Sequence, residues 1–552
     1  MPTKFDWNYG FITVLAGAFF LPFLGGVHLF DWDEINFAEC SREMIATGNY
    51  LRPQINFEPF WEKPPLFIWL QTLSMHIFGV SDFAARLPNA LCGIFTLLIL
   101  YHIGKKLYDS TFGWLWVLSY FGSILPHLYF KSGIIDPWFN LFIFLAVLFL
   151  IKNEARETAK NTPPIDRLSP LNLVIGGLFA GLAMLTKGPV AYLIISLTWL
   201  LKSLIYKQLS WKKTKQYTLF SLIALSVTFV WFGVETFKNG FWFIQTFIEY
   251  NIRLAQTEDA GHGGFVGYHF VVILFGCFPA SIFALRTFFK NDPVGIENQS
   301  FTQWMKVLFW VVIVLFSLVQ SKIVHYSSMC YLPLTFLSAL TLKRTLEWVS
   351  LPNFFKKPII GIGVFIGLLF AALPFVAQRI GLLKPLFAKD VFALKNLEAD
   401  VKWTGLESLA GLFLIIALLN LPNFLKKRGL MRGYIYLFLT MSVFINAVLF
   451  FFINRIEGYS QNAAIEFYKS KSAEDCYIGT FGYKSYAHLY YAQKRPPTHP
   501  LHASSGWLFR GKVDKPTYIV AKYNDKDTLD GQAQLRFLYD KNGFLFYERV
   551  PY

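Results

Sequence analysis

The residues able to do chemistry in this chain sit in short polar stretches between long apolar runs. The densest is 31–65, DWDEINFAECSREMIATGNYLRPQINFEPFWEKPP, opening on Asp33 and Glu34 and closing on Glu62, Lys63 and a Pro-Pro pair. Five further stretches carry the rest: Lys131 and Asp136 in FKSGIIDP, Lys187 in LTKGP, Tyr250, Asn251 and Arg253 in EYNIR, His262 in GHGGF, and Lys322, His325 and Tyr326 in SKIVHY. Carboxylates supply a base or orient a hydroxyl, which makes Asp33, Glu34 and Asp136 the candidate catalytic acids. Lys63, Lys187, Arg253 and Lys322, with the Tyr326 hydroxyl, are candidates for gripping a phosphate. Each also has a plainer explanation. Lys187 could cap a helix end, Asp136 before Pro137 could start a helix, and His325 could be a satisfied interfacial histidine.

Other chemistries lack their signatures. There is no GxxxxGK[ST] phosphate loop, no GxGxxG after a strand, no HExxH and no GxSxG elbow. Five cysteines form no CxxC pair and no zinc-type spacing. Cys40 and Cys476 fall in the same outer compartment, where a disulfide could join them.

The elements that must position these groups follow from composition. The 552 residues are 54% hydrophobic and only 16% charged, whereas soluble proteins carry about 25% charged residues. Many apolar stretches approach the roughly 20 residues needed to cross a bilayer. We read about thirteen spans: 9–29, 84–104, 111–128, 134–151, 171–186, 188–206, 216–237, 267–287, 303–319, 327–343, 357–376, 405–421 and 431–452. The first apolar run is read as a retained span rather than a cleavable leader. Leu66–Phe78 is apolar but short and reads as a helix at the interface. Thirteen crossings put the basic clusters, such as Lys105-Lys106, Lys212-Lys213, Lys356-Lys357 and Lys426-Lys427-Arg428, all on one side. That side is then the cytoplasm, with the N-terminus. The net charge of +16 accordingly points to topology and anionic lipid, not to nucleic acid.

Every polar stretch named above falls at the opposite, outer boundary. Span centres hold almost no charge, unlike ion-coupled transporters. Within the first loop, Asp33 can cap a short helix, and Pro53, Pro59, Pro64 and Pro65 prevent long regular structure. The last hundred or so residues change character. YIGTFGY, YIVAKY and FLFYERV read as strands and 462–470 as a helix. The expected fold is therefore an all-α polytopic membrane protein, with a transmembrane domain over 1–453, its outer loop at 30–83, and a small α/β extracytoplasmic domain over 454–552.

The pattern of an acidic pair, [FY]-A-E, R-E-M, G-[ND]-[WY] and E-K-P-P is complete in this chain. It resembles the first outer loop of GT-C-fold membrane glycosyltransferases, above all the aminoarabinose lipid A transferases and bacterial relatives among the protein O-mannosyltransferases. The resemblance implies a sugar donor on undecaprenyl phosphate, an acceptor at the outer face of the bacterial inner membrane, and Asp33 as the essential carboxylate. It implies that Lys63 holds the carrier phosphate, that Asp136 is a second acid and that Arg253 contacts phosphate. Glu62 and His262 stand where the aminoarabinose enzymes have a pair that can bind a divalent metal, although GHGGF departs from their H-x-x-P-F-[WY]-Y by lacking the proline. The implied acceptor is lipid A or a related envelope glycolipid. A protein Ser/Thr hydroxyl is the alternative within the class, and a polytopic lipid or sugar transporter the alternative outside it.

Overall fold

The computed structural model describes residues 6–158, 170–257, 263–289, 299–497 and 499–549. A helix, or a broken pair of helices, lies at each expected span. Seven of the described helices are long and apolar enough to cross a membrane. The longest, Leu430–Ser460 and Trp211–Asn239, expose large apolar side chains outward, among them Val443, Phe229 and Val230. Outward apolar faces beside a buried core are what hydrocarbon solvent selects. Helix Leu171–Lys187 carries Gly177 and Gly181, four residues apart, against Trp211–Asn239. A Cβ on Gly181 would lie 2.5 Å from Val227, and one on Gly177 would lie 2.8 Å from Ile223. Small residues at this spacing let two membrane helices approach closely.

Four expected spans are interrupted. The first helix, Trp7–Phe20, stops well short of residue 29. The run at 111–128 divides into Ser110–Phe121 and Ile124–Tyr129, and 267–287 into Tyr268–Gly276 and Ala280–Phe289 around Pro279. The run at 327–343 begins instead as a 3-10 turn, Val324–Cys330, before helix Tyr331–Thr345. Hydropathy reports apolar character and is blind to such breaks. The breaks at the first, 111–128 and 327–343 runs lie toward their outer ends, and that at Pro279 lies mid-run.

The first loop folds around helix Asp33–Thr47, which is buried on nearly all sides. Gly48, at φ +70°, ends it, a left-handed conformation that glycine adopts without a Cβ clash. The prolines then permit only a two-residue hairpin, β1 (Gln54–Ile55) and β2 (Glu58–Pro59), before helix Leu66–Phe78 starts directly after Pro65. That helix buries Phe67, Ile68 and Met75 and turns Leu73, Ile77 and Phe78 outward, as an interfacial helix does.

The tail builds a mixed sheet in the order β3–β4–β6–β5. Strand β3 (Tyr477–Phe481) pairs parallel with β4 (Thr517–Lys522), and β6 (Phe544–Arg549) is antiparallel to both β4 and β5 (Arg536–Lys541). Helix Asn462–Ser470 packs on the sheet, with Phe467 against Phe546. The sheet is docked onto the first loop. The Leu29 amide donates to the Tyr491 hydroxyl at 2.6 Å, that hydroxyl donates to Asp82 at 2.9 Å, and Arg42 donates to the Lys494 carbonyl at 2.7 Å. Cys40 and Cys476 are both buried free thiols, so the possible disulfide is absent.

Candidate functional site

Between the spans, the first loop and the tail lies a chamber of about 1880 Å³. Asp33, Glu62, Lys63, Lys187, Arg253, His325 and Tyr326 all line it, although they come from five separate segments. Apolar side chains line it too, among them Phe23, Leu193, Leu315, Val319, Leu449 and Phe450. One cavity thus combines charged groups with hydrocarbon-like walls, which suits an amphiphile with an anionic head.

Asp33 is the first residue of the loop helix. Trp32 occupies the cap position without a side-chain bond, so Asp33 is not the cap expected of it. Its carboxylate points instead toward His325, with Oδ2 3.6 Å from Nε2. His325 belongs to the 3-10 turn that replaces the start of a span. Burial pulls its pKa below the ordinary histidine value, partly countered by Asp136 and Asp33. Burial thus favours the neutral imidazole, whose ring can exchange a hydrogen bond with a carboxylate or an incoming hydroxyl.

The next carboxylate along the helix behaves differently. Glu34 is clamped by Arg86, with Nε to Oε1 at 2.9 Å and Nη2 to Oε2 at 2.7 Å. It also accepts from the Phe30 and Gly133 amides. Arg86 in turn donates to the Leu24, Val27 and His28 carbonyls. These charge-assisted bonds hold the Glu34 carboxyl below its ordinary pKa despite the opposing effect of burial. Glu34 borders the chamber, but its oxygens are occupied in fixing loop to span.

Lys63 follows the hairpin and is braced by Pro64. Its ammonium lies 4.9 Å from the centre of the Tyr250 ring, a cation–π contact, and forms no ion pair with a described carboxylate. Burial lowers its pKa, opposed by Glu62 and Asp33. Lys63 and His325 are half-buried and border the chamber. Arg253, on helix Trp242–Gln256, approaches the same Tyr250 ring at 5.3 Å. The Tyr250 hydroxyl donates to Glu62 at 3.3 Å.

Lys187 ends helix Leu171–Lys187 and pairs with Asp136 Oδ1 at 2.6 Å. Its ammonium also lies 5.5 Å from the Tyr326 ring centre. Asp136 begins helix Asp136–Thr158 and is only 1% exposed. It sits behind Lys187, in reach of Ser328 at 3.4 Å, and does not itself line the chamber. Its role in the geometry is to hold Lys187 forward. Lys322 corrects the expectation most clearly. Its ammonium turns back onto the Ser317 carbonyl at 2.7 Å and the Phe316 and Val319 carbonyls, capping helix Gln299–Leu318. A lysine spent on helix-end carbonyls is not presented to a ligand.

His262 lies outside the described residues. Glu62 has the Tyr250 hydroxyl on one side and the Lys484 ammonium at 3.9 Å on the other. Among the described residues no three His, Cys, Asp or Glu side chains gather as a metal site. The expected Glu62–His262 pair therefore lies partly outside the described residues, and the chemistry below is built on the chain's own charged side chains. Lys484 was not singled out in the sequence. It lies in the tail, and its one local signal is the FGYKSY turn after a predicted strand.

Comparison with known proteins agrees with this geometry. Residues 62–232 match the family model described as dolichyl-phosphate-mannose-protein mannosyltransferase. An uncharacterised protein of Aquifex aeolicus is 28% identical over 64% of this chain and 78% of its own length. The undecaprenyl phosphate-alpha-4-amino-4-deoxy-L-arabinose arabinosyl transferase of Pectobacterium carotovorum is 26% identical over 68% of this chain, and the match spans 65% of that relative. The crystal structure of ArnT from Cupriavidus metallidurans bound to undecaprenyl phosphate superposes with a TM-score of 0.77 over 99% of both chains, at 16% identity. Its apo state gives 0.74 over the same share. The chain is a polytopic membrane protein with the GT-C fold of polyprenyl-phosphate-sugar glycosyltransferases, and within that fold it resembles the aminoarabinose transferases.

Proposed function

We propose that the protein transfers a sugar from undecaprenyl phosphate to an acceptor at the periplasmic face of the bacterial inner membrane, lipid A or a related envelope glycolipid. The observation that carries this reading is the chamber itself: an unpaired ammonium, Lys63, stands with Lys187 and Arg253 over apolar walls, and Asp33 faces the same space. A prenyl chain fits the walls, its phosphate meets the cations, and the sugar is left beside Asp33. The thirteen-span reading, with the N-terminus in the cytoplasm, puts chamber and tail on the periplasmic side.

In the reaction, an acceptor oxygen attacks the anomeric carbon as the bond from that carbon to the carrier phosphate oxygen breaks. Where the acceptor is a hydroxyl, Asp33 takes its proton; where it is a phosphate, already anionic, Asp33 orients it. The electron pair departs with the polyprenyl phosphate, whose added charge is stabilised by Lys63, Arg253 and Lys187. Bringing two membrane-borne reactants into one chamber supplies much of the remaining acceleration. A single displacement inverts the anomeric centre.

The test is to incubate the purified protein with radiolabelled undecaprenyl-phosphate sugar and mixed envelope acceptors. Label should move to a glycolipid with inversion. Label moving to protein would favour the protein acceptor named in the matched family's description. Movement of intact donor across the bilayer without bond cleavage, or retention at the anomeric carbon, would refute the reading.

A further inference from the structure

The chamber has a wall that neither the loop nor the spans supply. It is the tail turn 482–485, between strand β3 and helix Ala487–Tyr491. This turn is rigidly placed. Gly482 adopts φ +75°, where any side chain is strained, and a Cβ there would have to displace the Asp525 carboxylate, 1.9 Å away. The Tyr483 hydroxyl bonds that of Tyr468 at 3.0 Å. Ser485 is buried and accepts from the Ala487 amide at 3.2 Å, with Asp31 of the first loop beside it. Between these anchors Lys484 projects into the chamber with its side chain 57% exposed. Its ammonium lies 4.7 Å from the Trp32 ring centre and 5.5 Å from that of Tyr486.

Two features give this placement meaning. Trp32 and Asp33 are consecutive and both line the chamber, so Lys484 stands against the stretch of the first loop that carries the carboxylate assigned to the acceptor. Glu62 then stands between two sets of cations. Lys63 and Arg253 gather round the Tyr250 ring on one side, and Lys484 approaches from the other. One anion does not need both sets, and a transferase working between two anionic lipids does.

We propose that Lys484 is a specificity-determining residue that binds an anionic phosphate group of the acceptor beside Asp33, separately from the cations that hold the carrier phosphate. The proposal rests on the transferase reading above and deepens it: the tail domain reads the acceptor. It favours a phosphorylated glycolipid over an uncharged hydroxyl acceptor.

The experiment uses the full chain in lipid nanodiscs, with undecaprenyl-phosphate sugar as donor and bis-phosphorylated lipid A as acceptor, each varied separately. Lys484→Met should raise the acceptor KM about tenfold, the order expected for losing one partly solvated charge-assisted bond. The donor KM and the affinity for undecaprenyl phosphate should stay within about twofold, because Lys63 and Arg253 are untouched. Lys484→Arg should restore most of the loss. An unchanged acceptor KM in Lys484→Met, or donor and acceptor KM rising together, would overturn the proposal while leaving the transferase reading intact. Absence of transfer to any envelope acceptor by the unaltered protein would instead defeat the transferase reading, and the proposal with it.

Discussion

The first loop has an underside and a chamber face, and they treat charge in opposite ways. On the underside, Glu34 is clamped by Arg86, Glu39 takes both Nε and Nη2 of Arg42 at 2.6 Å, and Arg52 lies 3.1 Å from Glu235. On the chamber face, among the described residues, Asp33 reaches only a histidine at 3.6 Å, and Lys63 has an aromatic ring in place of a carboxylate. Buried charges are stable when paired and hydrogen-bonded. A chain that satisfies one face and leaves the other incomplete has left room there for a charged ligand. Adjacent residues, Asp33 and Glu34, fall on the two sides of that division.

This difference can be broken or sharpened by substitution. The largest effect is expected at Asp33. Asp33→Asn should cut transfer by about 10²–10⁴-fold with the protein still folded, since among the described residues the carboxylate meets only His325, at 3.6 Å. Steady-state rates alongside thermal unfolding in detergent check this, and near-normal turnover would remove Asp33 from the mechanism. Arg86→Ala should do the reverse. It strands the buried Glu34 carboxylate, costing about 3–5 kcal/mol, so the unfolding temperature should fall and activity should be lost only in proportion to folded protein. A variant of unchanged stability would mean that the underside is not structural.

A smaller effect concerns pH. Burial lowers the pKa of Lys63, so in the free enzyme its charge is present at low pH and lost as pH rises, earlier than for an exposed lysine. The alkaline limb of kcat/KM should report that loss. Lys63→Arg keeps its charge throughout and should move the limb to higher pH while lowering the maximum modestly. An alkaline limb at the same pH in the variant would assign the titration to another group.

The architecture was largely legible before the structure. Apolar run lengths located the span helices, and helix 462–470 coincides with Asn462–Ser470. Strand β5 went unseen because RFLYDK is an exposed edge strand, mostly charged or solvent-facing, without a buried alternation to reveal it. The candidate site was legible as a set of residues but not as a set of roles. Sequence places Lys322 near a helix end; it does not say that the ammonium folds back on that helix's carbonyls. It gives Asp33 and Glu34 as a pair, while their division depends on Arg86, more than fifty residues away. Lys484 is near the chamber only because the tail docks on the loop through Tyr491 and Lys494.

The most direct measurement is the affinity of the chain in nanodiscs for undecaprenyl phosphate, compared between the unaltered protein, Lys63→Ala and Lys322→Met. The chamber-face account predicts that Lys63→Ala weakens binding about tenfold or more, as expected for loss of a charged phosphate contact. Folded Lys322→Met, altered only at a helix cap, should bind as the unaltered protein does. Equal affinity in Lys63→Ala, or a loss confined to Lys322→Met, would contradict it.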